Sequence, residues 1–272
     1  MKQGAQTRRQ RRGIYLLPSF FTVLNLLCGY FAILSTMKGS TADLDNAAKA
    51  IGFAILFDTL DGRVARMSNT SSPFGREFDS LADIISFGIA PAFLALAWGL
   101  KSLDPVSAGS PELVRHVYQV GWIVSFFFLI CGAWRLARFN IHSMNPHPHD
   151  PHAHRYFVGV PIPAAAGLIA AVVHALKTPV AMWYWGVVWL FMIAGLCYLM
   201  VSPIRYYSFK DIGLRQRHSS VLVIGLGILV LSIWFYSEYV LLALAVTYIF
   251  SGITAKLTSV IKRHVFQRAG AV

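Results

Sequence analysis

Eight stretches of this chain stay apolar for about 18 to 23 residues, the length a helix needs to cross a hydrocarbon layer. They fall at roughly 18–37, 46–66, 79–100, 117–139, 158–177, 181–201, 219–236 and 238–259, with ends uncertain by about 2 to 4 residues. The connections between them are short. Even the longest, at 140–157 and 202–218, leave no room for a separate soluble domain. The pattern predicts an all-α fold, a polytopic membrane helix bundle of about eight transmembrane helices. It divides into a basic juxtamembrane segment (1–17), a membrane core (18–201) and a C-terminal transmembrane hairpin with a basic tail (202–272).

Composition agrees. The 272 residues are 56% hydrophobic and 13% charged, with a mean hydropathy of +0.56, and a water-soluble domain of this size has more polar surface to cover itself. The net charge of +12 has a distribution that sets orientation. With the N-terminus in the cytoplasm, 19 of the 24 basic residues fall on the cytoplasmic side, among them Arg8, Arg9, Arg11, Arg12, Arg63, Arg66 and Arg76. The remaining five are Lys38, Lys49, Lys101, Arg115 and Lys177. Positive residues gather on the cytoplasmic side of a membrane protein, so both termini and the loop between spans two and three are expected there, in a cell inner membrane. The same charge implies attraction to anionic membrane lipid. It does not point to nucleic acid, because no soluble module carries a basic face. A cleaved leader is not expected either: no small-residue cleavage pattern follows the first apolar run, and Asn25 and Gly29 are built into it. Cys28, Cys131 and Cys197 all lie inside predicted spans without metal or disulfide spacing, as small buried side chains.

Acid at membrane depth changes the picture. An ionisable group there is costly unless it is paired, hydrated or bound to a cation. Of twelve acidic residues, Asp58, Asp61, Asp79 and Asp83 lie in or beside spans two and three. Glu77 lies in their connection, and the other seven are assigned to loops or tails. Asp58 and Asp61 are three apart and Asp79 and Asp83 four apart, so each pair shares one helical face. Two antiparallel spans joined by a loop of about a dozen residues, within the ordinary range for connections, bring both pairs together. Four carboxylates so placed call for hard cations. Oxygen-only ligation favours Mg²⁺ or Mn²⁺, which complete their shells with substrate phosphate. Gly62 and Ala65 leave backbone exposed beside the acids, while Arg63, Arg66 and Arg76 supply positive charge, a setting suited to a pyrophosphate.

The motif resembles the signature of the CDP-alcohol phosphotransferases, D-x2-D-G-x2-A-R-x8-G-x3-D-x3-D. Asp58, Asp61, Gly62, Ala65, Arg66, Gly75, Asp79 and Asp83 match it at every spacing. The resemblance implies an enzyme that moves a phosphatidyl group from CDP-diacylglycerol to an alcohol and releases CMP. By position it makes Asp58, Asp61 and Asp79 ligands of two metal ions, and Asp83 both ligand and general base. Asp58, Gly62, Arg66, Ser72 and Gly75 then hold the CDP-diacylglycerol. The implied assembly is a homodimer.

Two further stretches, RLARFN (Arg135–Asn140) and FVGVPIPAAAG (Phe157–Gly167), together with PSFFTVLNLLCG (Pro18–Gly29), look like the serine-using branch of that family. Pro18-Ser19 departs from the family's usual Pro-Asn. L-serine carries a carboxylate, for which Arg135 and Arg138, three apart on one helical face, are the candidate grips, with Asn140 as a polar supplement. Glycerol 3-phosphate or an inositol phosphate suits an arginine pair as well, and remains an alternative acceptor. A cation transporter, the distant alternative, would carry its acids near midplane in paired repeats, whereas here they cluster toward one end. The segment NPHPHDPHAH, with its His147 to His154 crowding, reads as a loop broken by Pro146, Pro148 and Pro151.

Overall fold

A computed structural model of the chain describes residues 20–68, 72–104, 110–144, 156–207 and 219–269. They form α1 (Phe20–Lys38), α2 (Thr41–Ser68), α3 (Pro73–Asp83), a π-helical turn (Ile84–Ile89), α4 (Ala90–Leu100), α5 (Pro111–Met144), α6 (Ile162–Leu176), α7 (Trp183–Val201) and α8 (Ser219–Ala269). Among the described residues the exception to helix is a short antiparallel ladder. Its strands are β1 (Tyr156–Val158) and β2 (Arg205–Tyr207), with Phe157 opposite Tyr206.

Capping chemistry explains where the helices begin. A serine ahead of the first turn satisfies one of the backbone N–H groups that the helix leaves open. Ser40 accepts from the Asp43 N–H at 3.1 Å at the start of α2. Ser110 accepts from the Glu112 N–H at 3.2 Å, with Pro111 as the first residue of α5. Ser72 accepts from the Gly75 N–H at 2.9 Å, with Pro73 at the start of α3. This last cap corrects the long connection expected between spans two and three. Helix resumes at Pro73, because a cap and an N-terminal proline start a helix whether or not its residues are apolar.

Five helical runs among the described residues are long and apolar enough to cross a membrane: Phe20–Lys38, Pro73–Leu100, Pro111–Ile141, Trp183–Val201 and Gly227–Lys256. The protein is therefore multi-pass, with fewer such runs than the eight expected. α2 is 28 residues long but carries charge near both ends, and α6 is apolar but has only 15 residues. The fifth apolar run loses its first residues to β1 and to Gly159, whose φ of +81° breaks the chain direction before α6. That backbone suits glycine alone, since a Cβ would lie against the Met200 carbonyl. The seventh and eighth runs fall within α8, interrupted by non-helical dihedrals at Tyr236 (φ −135°, ψ 42°).

α1 packs along α2, α5 along α7, and α6 between α2 and α8. Small side chains line the closest approaches: Ala47, Ala48 and Ala54 of α2 and Ala165 and Ala166 of α6 are buried, with Ile51 and Ile169 filling the space between. Small residues let helix backbones come close, which matters where lipid supplies no hydrophobic drive. Trp98 and Trp189 tilt against each other with ring centroids 4.9 Å apart, and the Trp189 indole N–H donates to the Ala95 carbonyl at 2.9 Å. Large apolar side chains such as Phe31, Trp134, Phe191 and Trp234 point outward, as a lipid-facing surface requires. Cys197 is buried and Cys28 and Cys131 half-buried, all three free.

Pro91 accounts for the π turn. It has no N–H for the carbonyl four residues back and its ring crowds that turn, so the preceding helix widens. The Ala90 N–H reaches back five residues to the Ile85 carbonyl. Such insertions recur at functional sites, and this one begins at the residue after Asp83.

Candidate active site

The site is built from one face of α1. Thr22, Asn25 and Gly29 stand three and four residues apart, all buried. The Thr22 hydroxyl donates to Asp61 Oδ2. Asn25 Nδ2 donates to Asp83 Oδ1 at 3.1 Å, and the Ser86 hydroxyl donates to the Asn25 carbonyl at 2.9 Å. Gly29 lets α1 come this near, since a Cβ there would lie 2.7 Å from Ser86 Cα. A polar stripe on a span, readable as i, i+3, i+7, thus holds the two acid pairs from below. Thr22 and Ser86 are not singled out by the sequence reading, although the first lies three residues before Asn25 and the second three after Asp83.

Asp58, Asp79 and Asp83 each place a carboxylate oxygen within 4.8 Å of the other two. Asp58 and Asp79 are half-buried and Asp83 is buried. Like charges about 4 Å apart repel by on the order of several kcal/mol at the effective dielectric of a protein. Asp79 Oδ1 is buried without a hydrogen-bond partner among the described residues. An oxygen-only donor set with an orphaned acceptor fits a hard divalent cation. Asp61, the fourth acid read as a ligand, is buried one turn along α2 from Asp58 and accepts from the Thr22 hydroxyl.

The rest of the motif frames the acids. Gly62 is exposed on α2 and Gly75 half-buried in the first turn of α3; Arg63 and Arg76 are exposed beside them. The Ser72 hydroxyl is engaged in starting α3, so its position follows from capping. The side chain of Arg66 lies outside the described residues, as does the His147–His154 segment.

The three residues expected to bind the acceptor divide. Arg135 is buried, with its guanidinium 5.6 Å from the Phe139 ring centroid and within electrostatic reach of Asp83 and Tyr248. Arg138 donates to the Val158 carbonyl at 2.8 Å and to the Val201 carbonyl at 3.4 Å, bracing β1 and the end of α7. Asn140 Nδ2 donates to the Ser80 hydroxyl at 2.8 Å, tying α5 to α3 beside Asp79. A groove of about 240 Å³ opens between α3 and α5, lined in part by Glu77, Ser80, Leu136 and Asn140.

A second polar cluster was not anticipated. Asp45, assigned to a loop from the hydropathy pattern, is instead in the first turns of α2, because Ser40 starts that helix five residues earlier than its apolar run. Its Oδ1 lies 2.5 Å from His174 Nδ1 on α6, and His174 Nε2 lies 2.9 Å from the Ser237 hydroxyl on α8. Lys49 pairs with Asp45 at 2.8 Å. Lys177, which leaves α6 with a φ of 56°, pairs with Glu238. That carboxylate, hydrogen-bonded to it, raises the Lys177 ammonium above its ordinary pKa.

Residues 15–201 match the model of a family described as CDP-alcohol phosphatidyltransferase. The chain is 36% identical over 205 residues to a Helicobacter pylori protein named CDP-diacylglycerol–serine O-phosphatidyltransferase, covering 73% of this chain and 75% of that one. A Mycobacterium bovis protein of the same name is 33% identical over 225 residues, 81% of this chain and 71% of its own. One from Methanocaldococcus jannaschii is 33% identical over 200 residues, 74% and 78% of the two chains.

Proposed function

The chain belongs to the CDP-alcohol phosphatidyltransferase family, and on that premise we propose that it transfers the phosphatidyl group of CDP-diacylglycerol to the hydroxyl of L-serine. The products are phosphatidylserine and CMP. The observation that carries this reading is the convergence of Asp58, Asp79 and Asp83, in a chain whose relatives are named for that reaction.

Asp58, Asp61, Asp79 and Asp83 would hold the divalent cation, Mg²⁺ or Mn²⁺, whose contribution is charge neutralisation at the pyrophosphate. Asp83 takes the hydroxyl proton as the serine oxygen bonds to the phosphatidyl phosphorus and the bond from that phosphorus to the CMP oxygen breaks. The Asn25 N–H holds the Asp83 carboxylate in orientation for that task. Arg135 sits near enough to Asp83 to receive the serine carboxylate while its hydroxyl faces the base, and Arg138 and Asn140 brace the segments around it. Asp58, Gly62, Arg66, Ser72 and Gly75 would hold the nucleotide end of the lipid. On this reading catalysis belongs to residues 18–201, flanked by the basic juxtamembrane segment 1–17 and the C-terminal hairpin and basic tail 202–272, in a homodimer on anionic lipid.

The deciding assay is CMP release from CDP-diacylglycerol by purified protein with Mg²⁺ or Mn²⁺, expected with L-serine and absent without an alcohol. Release with glycerol 3-phosphate or an inositol phosphate but not with serine overturns the acceptor and leaves the family chemistry standing. The reading also puts the acid-lined end in the cytoplasm of a cell inner membrane, supported by the distribution of basic residues. In a cysteine-free background, Thr178→Cys is expected to react with an impermeant thiol reagent in intact cells and Met67→Cys only after permeabilisation. The reverse pattern would refute that orientation.

A further inference from the structure

Three buried polar side-chain atoms lack a hydrogen-bond partner among the described residues: Asn25 Oδ1, Asp79 Oδ1 and Ser125 Oγ. The first two lie in the acid cluster. Asp79 Oδ1 belongs to the cation donor set and needs no further explanation. Asn25 Oδ1 does. The side chain is fully buried, and an unmade hydrogen bond in such a place costs stability that an apolar side chain of similar size would not forfeit. The orientation of the amide is fixed by its partner. A carboxylate only accepts, so the group 3.1 Å from Asp83 Oδ1 is the NH₂, and the oxygen is the atom left over. The backbone beneath the amide is held in place, because the Ser86 hydroxyl donates to the Asn25 backbone carbonyl and Gly29 lets α1 lie against the π turn. A rigid acceptor next to the base, aimed at no donor of the protein's own, is complementary to a donor on the molecule the base acts upon.

We propose that Asn25 is a specificity-determining residue whose side-chain oxygen receives the ammonium group of the acceptor alcohol. The inference deepens the serine reading and rests on it. In serine the hydroxyl and ammonium sit on adjacent carbons. A molecule whose hydroxyl faces Asp83 therefore presents its ammonium one group further along, where the amide of Asn25 continues from the same carboxylate. Its carboxylate then falls toward Arg135. A cationic donor makes this contact worth more than one between neutral groups. Alcohols without an ammonium leave the oxygen unmet, so the site rejects them by the penalty of a buried, unpaired acceptor, a stronger filter than shape. Glycerol 3-phosphate and inositol phosphates carry no such cation, and the feature discriminates against both.

The test is a kinetic split. Asn25→Leu removes both ends of the amide. Its kcat falls because Asp83 loses a positioning hydrogen bond, and its KM for L-serine is expected to rise about tenfold or more. The KM for CDP-diacylglycerol and the Mg²⁺ concentration for half-maximal activity stay within about twofold. Asn25→Asp keeps an oxygen at the position but replaces the donor with a second carboxylate oxygen beside Asp83, so kcat drops while the serine KM stays at or below that of the native protein. The ammonium-free analogue 3-hydroxypropionate, assayed as a competitor of serine, should inhibit the Leu variant more strongly than native protein, because no unmet acceptor remains to reject it. A serine KM that does not move in Asn25→Leu, or that rises equally in Asn25→Asp, overturns the proposal. So does a shift in Mg²⁺ dependence as large as that in serine, which would make Asn25 a cation ligand instead. If Asn25→Leu does not extract as folded protein, the Asn25→Asp result alone decides. Native protein that releases no CMP with serine defeats the proposed function and this inference together. Native serine activity with an unmoved variant KM defeats only the inference.

Discussion

Two polar clusters lie along the same helix, α2, and they are organised in opposite ways. Asp45 near its start and Asp58 further on are 13 residues apart, or about 20 Å of helix. At the Asp45 end acid meets base: His174 and Lys49 flank the carboxylate, Ser237 completes the histidine's hydrogen bonding, and Lys177 answers Glu238. At the Asp58 end acid meets acid, and two buried acceptors are left over. The first arrangement is closed upon itself and ties α2, α6 and α8 together. The second is complete only with something added. Buried charge is thus uninformative until its partners are counted, and the excess of acceptors over donors is what separates a binding site from a brace.

That contrast can be broken most forcefully at the acid end. Asp79→Asn is expected to cut turnover by more than about tenfold, beyond the range of changes that only support a ligand. In EDTA its melting temperature should match or exceed the native one, because one of three mutually repelling charges is gone. A variant that retained activity, or that melted markedly earlier, would make the trio structural. The other end should respond in reverse. His174→Leu strands a largely buried carboxylate and a serine hydroxyl, at a cost of about 1–3 kcal/mol. The thermal transition should fall while kcat and both KM values stay within about twofold. Smallest of all is Lys177→Met: its side chain is 46% exposed, water screens the pair, and neither melting nor activity should change measurably.

The same two regions show what a sequence discloses. The acid trio was legible because it rests on local spacing: Asp79 and Asp83 are four apart on one helix, and Asp58 is on the span before it. Partners from other helices were not legible. The spacing of Asp61 puts it on the face of Asp58, but does not disclose that the Thr22 hydroxyl of another helix donates to it. Nor does the spacing of Arg135 and Arg138 disclose that the second donates to the carbonyls of Val158 and Val201. The Asp45 cluster was not legible at all, since its members are 129 and 63 residues apart and meet only through packing. Membrane crossings were legible as apolar runs, less so as a count. Apolar runs do not disclose that α6 starts late behind Gly159, or that Ser72 and Pro73 restart helix in charged sequence.

The π turn has one more consequence. Each residue of an α-helix advances the chain by about 100°, so the residue taken up between Ile84 and Ile89 rotates everything after it relative to everything before. Asp79 and Asp83 answer to the acids of α2, whereas Leu94, Ala95 and Trp98 answer to the core beyond. The turn acts as a phase shifter between them. Chemistry on one half of the span and packing on the other keep separate angular references, and neither has to be compromised for the other to be met.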